Sequence, residues 1–147
     1  MSDLQLKNVR SGLDGLPYDK PEQDILDRHA DEIMIYHISG PMNFGAAKGL
    51  SRLISESAEY KVFVLDLSDV TFIDTSASMA IEDIMVAATG LGLEVILIGI
   101  KAQVEKTLKS LGVTKAIPAG NSFDTRLDAL QHAARFLDAG NEGKEKG

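Results

Sequence analysis

The side chains best placed to do chemistry in this sequence gather at Asp74-Thr75-Ser76, where an apolar run ends and an amphipathic helical pattern begins. A carboxylate and two hydroxyls at a helix start have two uses. One is capping: an oxygen of Asp74 or Thr75 accepts a hydrogen bond from a free terminal N–H, which is worth about 1 kcal/mol. The other is modification. A phosphate on Ser76 faces the positive end of the helix and a nearby Asp, so it changes the local surface strongly. A site of that kind is a switch, not a catalyst.

The other reactive groups are scattered. His29, His37 and His132 have no His or Cys partner at metal-ligand spacing, so surface or sheet positions account for them. Asp66 lies inside an apolar strand, where burial can raise a carboxyl pKa; a strand-end hydrogen-bond role is the simpler reading. Glu82 and Asp83 fall in the first two turns of a helix, where the macrodipole favours acids. The sequence contains no G-x-x-x-x-G-K-[ST] phosphate loop, no G-x-G-x-x-G and no G-x-S-x-G elbow, and the glycines between Gly40 and Gly49 fit neither phosphate fingerprint. No catalytic residue, metal ligand or cofactor site is assigned, and nothing supports an enzyme.

Composition narrows the classes further. The 147 residues suit one domain with a real core, and 44% are apolar. Twenty-two acidic against fifteen basic residues give a net charge of −7, which argues against nucleic acid and against broad adhesion to anionic lipid. Cysteine is absent, so disulfides, thiol chemistry and Cys-ligated metals are excluded, as fits a reducing compartment. No apolar run approaches the roughly eighteen residues of a membrane helix, and the first residues lack a signal-peptide core. The chain as given reads as soluble and cytoplasmic.

The elements that must position Asp74-Thr75-Ser76 follow from periodicity. Val62 to Leu67 is a β-rich apolar run without Gly or Pro, expected as a central strand buried on both faces. Glu32 to Ser39 is a second strand, closed by Gly40-Pro41. A helical stripe follows Asn43, with Ala46, Ala47, Leu50, Leu53, Ile54 and Ala58 on one side. The helix after Asp74-Thr75-Ser76 turns Ala77, Ile81, Ile84, Met85 and Ala88 to one face and stops at Gly90 and Gly92. Leu93 to Gly99 reads as a further strand and Gln103 to Leu111 as a helix. Ala116-Ile117 reads as a very short strand, and a last helix spans Ser122 to Leu137 with Ser122 as its cap. Gln23 to Arg28 is expected as a short edge strand. The expected organisation is a leader or linker over residues 1–22, one domain over 23–138 and a disordered tail over 139–147. Strands alternating with helices predict an α/β fold: a sheet of four to six strands, parallel at its centre, with four to five helices around it.

The residues from Leu65 to Ala77, LDLSDVTFIDTSA, resemble the signature of the STAS domain, named for sulfate transporters and anti-sigma-factor antagonists. That signature is an apolar strand, D-L-S-x-V, and then I-D-[ST]-[ST]-[GA]; the resemblance covers about residues 30–138. It implies a STAS-type fold and two branches of function. In stand-alone antagonists the hydroxyl matching Ser76 is phosphorylated by an anti-sigma kinase, with Asp74 and Thr75 as motif neighbours; that branch has Gly where this chain has Ala77. In the other branch the domain is the C-terminal cytoplasmic part of a SulP-type permease. Gly40-Pro41-Met42-Asn43-Phe44-Gly45-Ala46-Ala47 resembles the G-P-L-F-F-G-A-A segment of that branch, with Asn43 in place of the aromatic. The leader is similar to a connector from a last membrane helix.

The permease branch implies a regulatory interaction domain of a sodium- or proton-linked transporter for sulfate or bicarbonate, held at the cytoplasmic face of the membrane. Its implied partners are the transporter's own membrane domain, a second copy in a homodimer, and other cytoplasmic proteins. Asn43, Phe44 and Ser78 are the candidate interaction surface. A nucleotide-binding module is a third reading that the family allows, although the sequence shows no phosphate cradle.

Overall fold

The computed structural model describes residues 5–10, 18–42 and 59–146, together with Gly49, Arg52 and Ile54; for 5–10 and 141–146 only the backbone is described. Its sheet has five strands in the order β1 (Gln5–Arg10), β2 (Ile33–Met42), β3 (Val62–Ile73), β4 (Glu94–Ile98) and β5 (Ser122–Phe123). β2 to β5 run parallel and β1 lies antiparallel on the β2 edge. The helices are α1 (Lys20–Arg28), α2 (Thr75–Gly90), α3 (Ala102–Ser110) and α4 (Arg126–Lys146), with a 3-10 turn at Val113–Ala116. Gly49, Arg52 and Ile54 are helical as well. The α/β fold with a parallel centre follows the sequence expectation.

Side chains alternate across each strand, so one run of residues feeds two cores. Met34, Tyr36, Phe63, Leu65, Val95 and Leu97 face α2 and α3, where Ile81, Met85, Val104 and Leu108 meet them. Ile33, Ile35, Val62, Val64, Ile96 and Ile98 face the other way, against Ile25 and Leu26 of α1 and Ala129, Leu130 and Ala133 of α4. The Tyr36 and Phe63 rings pack at 5.6 Å in the first core. This two-sided burial is why β3 begins with six consecutive buried residues.

Several sequence expectations are corrected. Residues 1–22 are not all leader: Gln5–Arg10 pairs with Met34–Ser39 as an edge strand. Gln23 to Arg28 belongs to a helix, not an edge strand. Pro21 sits in the first turn of α1, where its missing N–H costs nothing, and Glu22 accepts the Asp19 N–H at 2.8 Å. Ala116 ends the 3-10 turn, and the short strand lies instead at Ser122–Phe123. There the Leu97 N–H donates to Asn121 O and the Gly99 N–H to Phe123 O, each at 2.8 Å, so the open edge of β4 finds its partners. Thr125, not Ser122, caps the last helix: its hydroxyl accepts the Asp128 N–H at 3.2 Å. That helix continues through Gly140 to Lys146, where a disordered tail was expected. Glu142, Lys144, Glu145 and Lys146 are good helix formers and carry it on.

The longest difference is at β3, which runs to Ile73, well past the apolar run. Its register on β2 shifts between His37 and Ser39 and again between Gly40 and Pro41. Gly40 has φ 86, a conformation that costs a glycine little and most other residues much. These irregularities extend and twist the pair until Met42 lies beside Ile73. The Asp74 N–H then donates to Met42 O at 3.4 Å and fixes where the helix begins.

Candidate functional site

Asp74 leaves the sheet in an extended conformation (φ −87, ψ 171) and is the N-cap of α2. Its Oδ1 accepts the Ala77 N–H at 2.7 Å, and its backbone carbonyl accepts the Ser78 N–H at 2.9 Å. Of the two capping candidates, Asp74 holds the role. Thr75 and Ser76 are exposed. No hydrogen bond to the Ser76 hydroxyl occurs among the described residues, so it is open to solvent and to enzymes.

Ser78 does not belong to an interaction surface. It is fully buried, and its hydroxyl donates to the Asp74 carbonyl at 2.9 Å, bracing the cap from beneath. Asn43 and Phe44 lie outside the described residues.

The remaining sequence candidates are separate from this turn. Asp66 is buried inside β3 and not at a strand end as expected; its Oδ1 accepts both the Ser68 N–H (3.0 Å) and the Ser68 hydroxyl (2.5 Å), so the hydrogen-bond role holds. Gly99 packs so closely on Ser68 that an added Cβ would stand 2.8 Å from Ser68 Cα. The histidines pair with acids, not with one another. His37 Nε2 meets Asp69 Oδ2 at 2.6 Å, His29 Nδ1 meets Glu32 Oε1 at 3.0 Å, and His132 lies 3.5 Å from Glu94. The hydrogen bond with His29 and the nearby Lys61 hold the Glu32 carboxyl below its usual range, against the effect of burial. No group of three metal-binding side chains occurs among the described residues.

Two features escaped the sequence reading. The first is a latch between α1 and α4. Arg126 binds Glu22 through two hydrogen bonds (2.9 and 3.1 Å) across 104 residues, and its guanidinium lies 4.4 Å from the centre of the Tyr18 ring. Burial alone would raise the Glu22 carboxyl; the Arg126 and Asp19 hydrogen bonds outweigh it and hold Glu22 below the usual range. Burial pushes the Tyr18 hydroxyl up to about 12. That hydroxyl is buried without a partner among the described residues. Only the fold brings these positions together, and no local signal marks the pairing.

The second is an exposed apolar set at and beyond the motif: Phe72 (50% exposed), Met79 (56%) and Val86 (61%). Its signal was present in the sequence. Met79 and Val86 are two helical turns apart, on the side of α2 opposite the core stripe.

A cleft of about 320 Å³ opens between the end of β4, the 3-10 turn and β5, lined by Ile100, Glu105, Ile117, Pro118, Phe123 and Asp124. Ligands of open parallel sheets bind at this end. Here both ionisable groups of the lining are acidic, which opposes a phosphate and the nucleotide reading with it.

The strand, the capped turn and the helix behind it correspond to a known domain, because the pattern of the STAS domain matches residues 24–129. The chain belongs to the STAS domain family. It is 34% identical over 140 residues, 93% of its length, to the bicarbonate transporter BicA of Synechocystis sp.. The match takes in 25% of that protein, so the chain spans about a quarter of the length of the curated relatives it matches. Among solved structures, the sulfate transporter family protein of Wolinella succinogenes is 28% identical with a TM-score of 0.65, over 73% of this chain and 88% of that one. The SulP transporter STAS domain of Vibrio cholerae shares the fold, at 22% identity and a TM-score of 0.68, over 82% of this chain and 99% of that one. This STAS domain is thus homologous to STAS domains carried by transporters.

Proposed function

We propose that this STAS domain is the cytoplasmic regulatory and interaction domain of a SulP-type inorganic anion transporter for sulfate or bicarbonate. The observation that carries the reading is the 34% identity to BicA, which extends over 93% of the chain and so takes in more than the signature motif. The geometry agrees with it. The Asp74 turn is a rigid, capped corner with exposed hydroxyls, and the family motif holds a surface in place instead of a reaction centre. The domain does no chemistry and contains no transport path. It acts through contacts with the transporter's membrane domain, with a second copy, or with other cytoplasmic proteins.

The reading frame that contains these residues tests this first. Ten or more membrane helices upstream of the domain support the reading, and a lone frame beside a kinase gene contradicts it. A second reading rests on one specific observation, the exposed and unengaged Ser76 hydroxyl. In it the domain is a free anti-sigma-factor antagonist switched off by phosphorylation of Ser76. Incubation with the cognate kinase followed by mass spectrometry tests it, and an unmodified Ser76 argues against it.

A further inference from the structure

Most surface helices bury one apolar face and show water a polar one. α2 departs from this rule. Ala77, Ile81, Ile84, Met85 and Ala88 face the core, while Met79 and Val86 stand at the centre of the opposite face, more than half exposed. The half-exposed Phe72 sits just before the helix start. A two-turn spacing of apolar residues is the footprint of a helix that packs a second partner.

The charge on the helix itself is one-sided. Thr75–Gly90 has no Lys, Arg or His and carries Glu82 and Asp83. Asp83 is exposed and lies between Met79 and Val86 along the helix.

We propose that the outward face of α2 docks a protein segment that is apolar along one seam and flanked by Lys or Arg. Two other occupants fit less well. Packing α2 against α2 of a second copy sets Met79 against Val86, but it brings Glu82 and Asp83 of both copies together, and α2 itself carries no Lys, Arg or His to offset them. An anionic lipid surface repels the same acids. Cytoplasmic loops of membrane proteins, in contrast, carry an excess of Lys and Arg. The source of the segment rests on the transporter reading above: it is a cytoplasmic loop of the membrane domain. Apolar contact supplies the affinity, and the acids select the sign of the partner and its register.

The test uses the intact chain and a fluorescein-labelled helical peptide, with leucines at helical spacing flanked by lysines, followed by anisotropy. Two control peptides replace the leucines with serine or the lysines with glutamate. Binding is expected for the first peptide only, and it should weaken more than tenfold in Met79→Ser, Val86→Ser and Asp83→Lys. These positions are exposed, so melting temperatures should stay within a few degrees and report intact folding. Equal binding by the wild type and the serine variants overturns the proposal, as does equal binding of the glutamate peptide. A dimer in sedimentation that Val86→Arg dissolves overturns it in favour of a second copy. Capture by phosphatidylglycerol vesicles that Val86→Ser abolishes overturns it in favour of lipid. The transporter reading fails separately, in the reading frame, which the peptide titration does not touch.

Discussion

Replacing Asp74 with Ala removes the acceptor that takes the Ala77 N–H at 2.7 Å and leaves that donor at a helix start with water as its alternative. Loss of an N-cap of this type costs about 0.5–2 kcal/mol. The carboxylate also faces the positive helix terminus, worth about 0.3–1 kcal/mol at a surface site, part of which the capping value already contains. A total of about 1–2 kcal/mol follows, because the turn is half-buried and the Ser78 bonds to the Asp74 backbone carbonyl survive the substitution. For a domain of this size each kcal/mol moves Tm by roughly 2–4 °C, so Asp74→Ala should melt about 2–8 °C lower. Asp74→Asn keeps the acceptor and loses the charge, and should recover at least half of that. Ser76→Ala removes a hydroxyl with no partner among the described residues, so it should stay within about 0.5 kcal/mol of wild type. Far-UV circular dichroism during heating, with urea titration at 25 °C, measures all three. A loss above about 1 kcal/mol in Ser76→Ala, or an unchanged Asp74→Ala, would refute the division of labour between cap and free hydroxyl.

The latch gives further tests. Glu22→Ala removes both hydrogen bonds to the Arg126 guanidinium in a part-buried site and should cost about 2–4 kcal/mol, just below the range for a fully buried pair; urea unfolding measures it, and a double-mutant cycle with Arg126→Ala should show coupling. Tyr18→Phe deletes a buried hydroxyl without a partner, so calorimetry at neutral pH should show unchanged or higher stability. Because the Tyr18 pKa is raised from 10.0 to about 12, its contribution is complete below pH 10 and is lost as pH rises toward 12; Tyr18→Phe should flatten that alkaline decline. Glu22 and Glu32 are lowered from 4.5, so their contributions are complete above that pH and are lost as pH falls through the folded values, an acid limb that Glu22→Gln should shrink. Gly99→Ala forces φ +66 on a residue with a Cβ and presses it against the Ser68 backbone; a loss of at least about 2 kcal/mol is expected by chemical denaturation.

Much of this was legible because β3 and α2 are long and strongly patterned. The six-residue apolar run from Val62 and the helical stripe from Ala77 to Ala88 each specify their element and their buried side. A cap at Asp74 or Thr75 was legible too, since an Asx or hydroxyl residue before such a stripe has a local use; the choice of Asp74 belongs to the structure. What escaped depends on partners far away in sequence. Gln5–Arg10 is a strand because β2 offers an open edge, and Ser122–Phe123 because β4 does; neither segment has enough periodicity of its own. Gln23–Arg28 misled for the opposite reason: six residues cannot separate two periods, and the helix they belong to opens further back, at Lys20-Pro21. The Glu22–Arg126 and His37–Asp69 pairs exist only after the sheet has brought α1 to α4 and β2 to β3. Met79 and Val86 were visible as letters, but their exposure depends on which face of α2 the sheet takes.

The central claim, a STAS domain that serves an anion transporter, is tested most directly by anion uptake. Cells expressing the complete reading frame are given labelled bicarbonate or sulfate, with the domain present and with it excised, at matched membrane abundance. The account predicts saturable uptake of one of these anions and a clear change in its rate when the domain is removed. Uptake that is absent from the complete frame, or the same with and without these 147 residues, would contradict it.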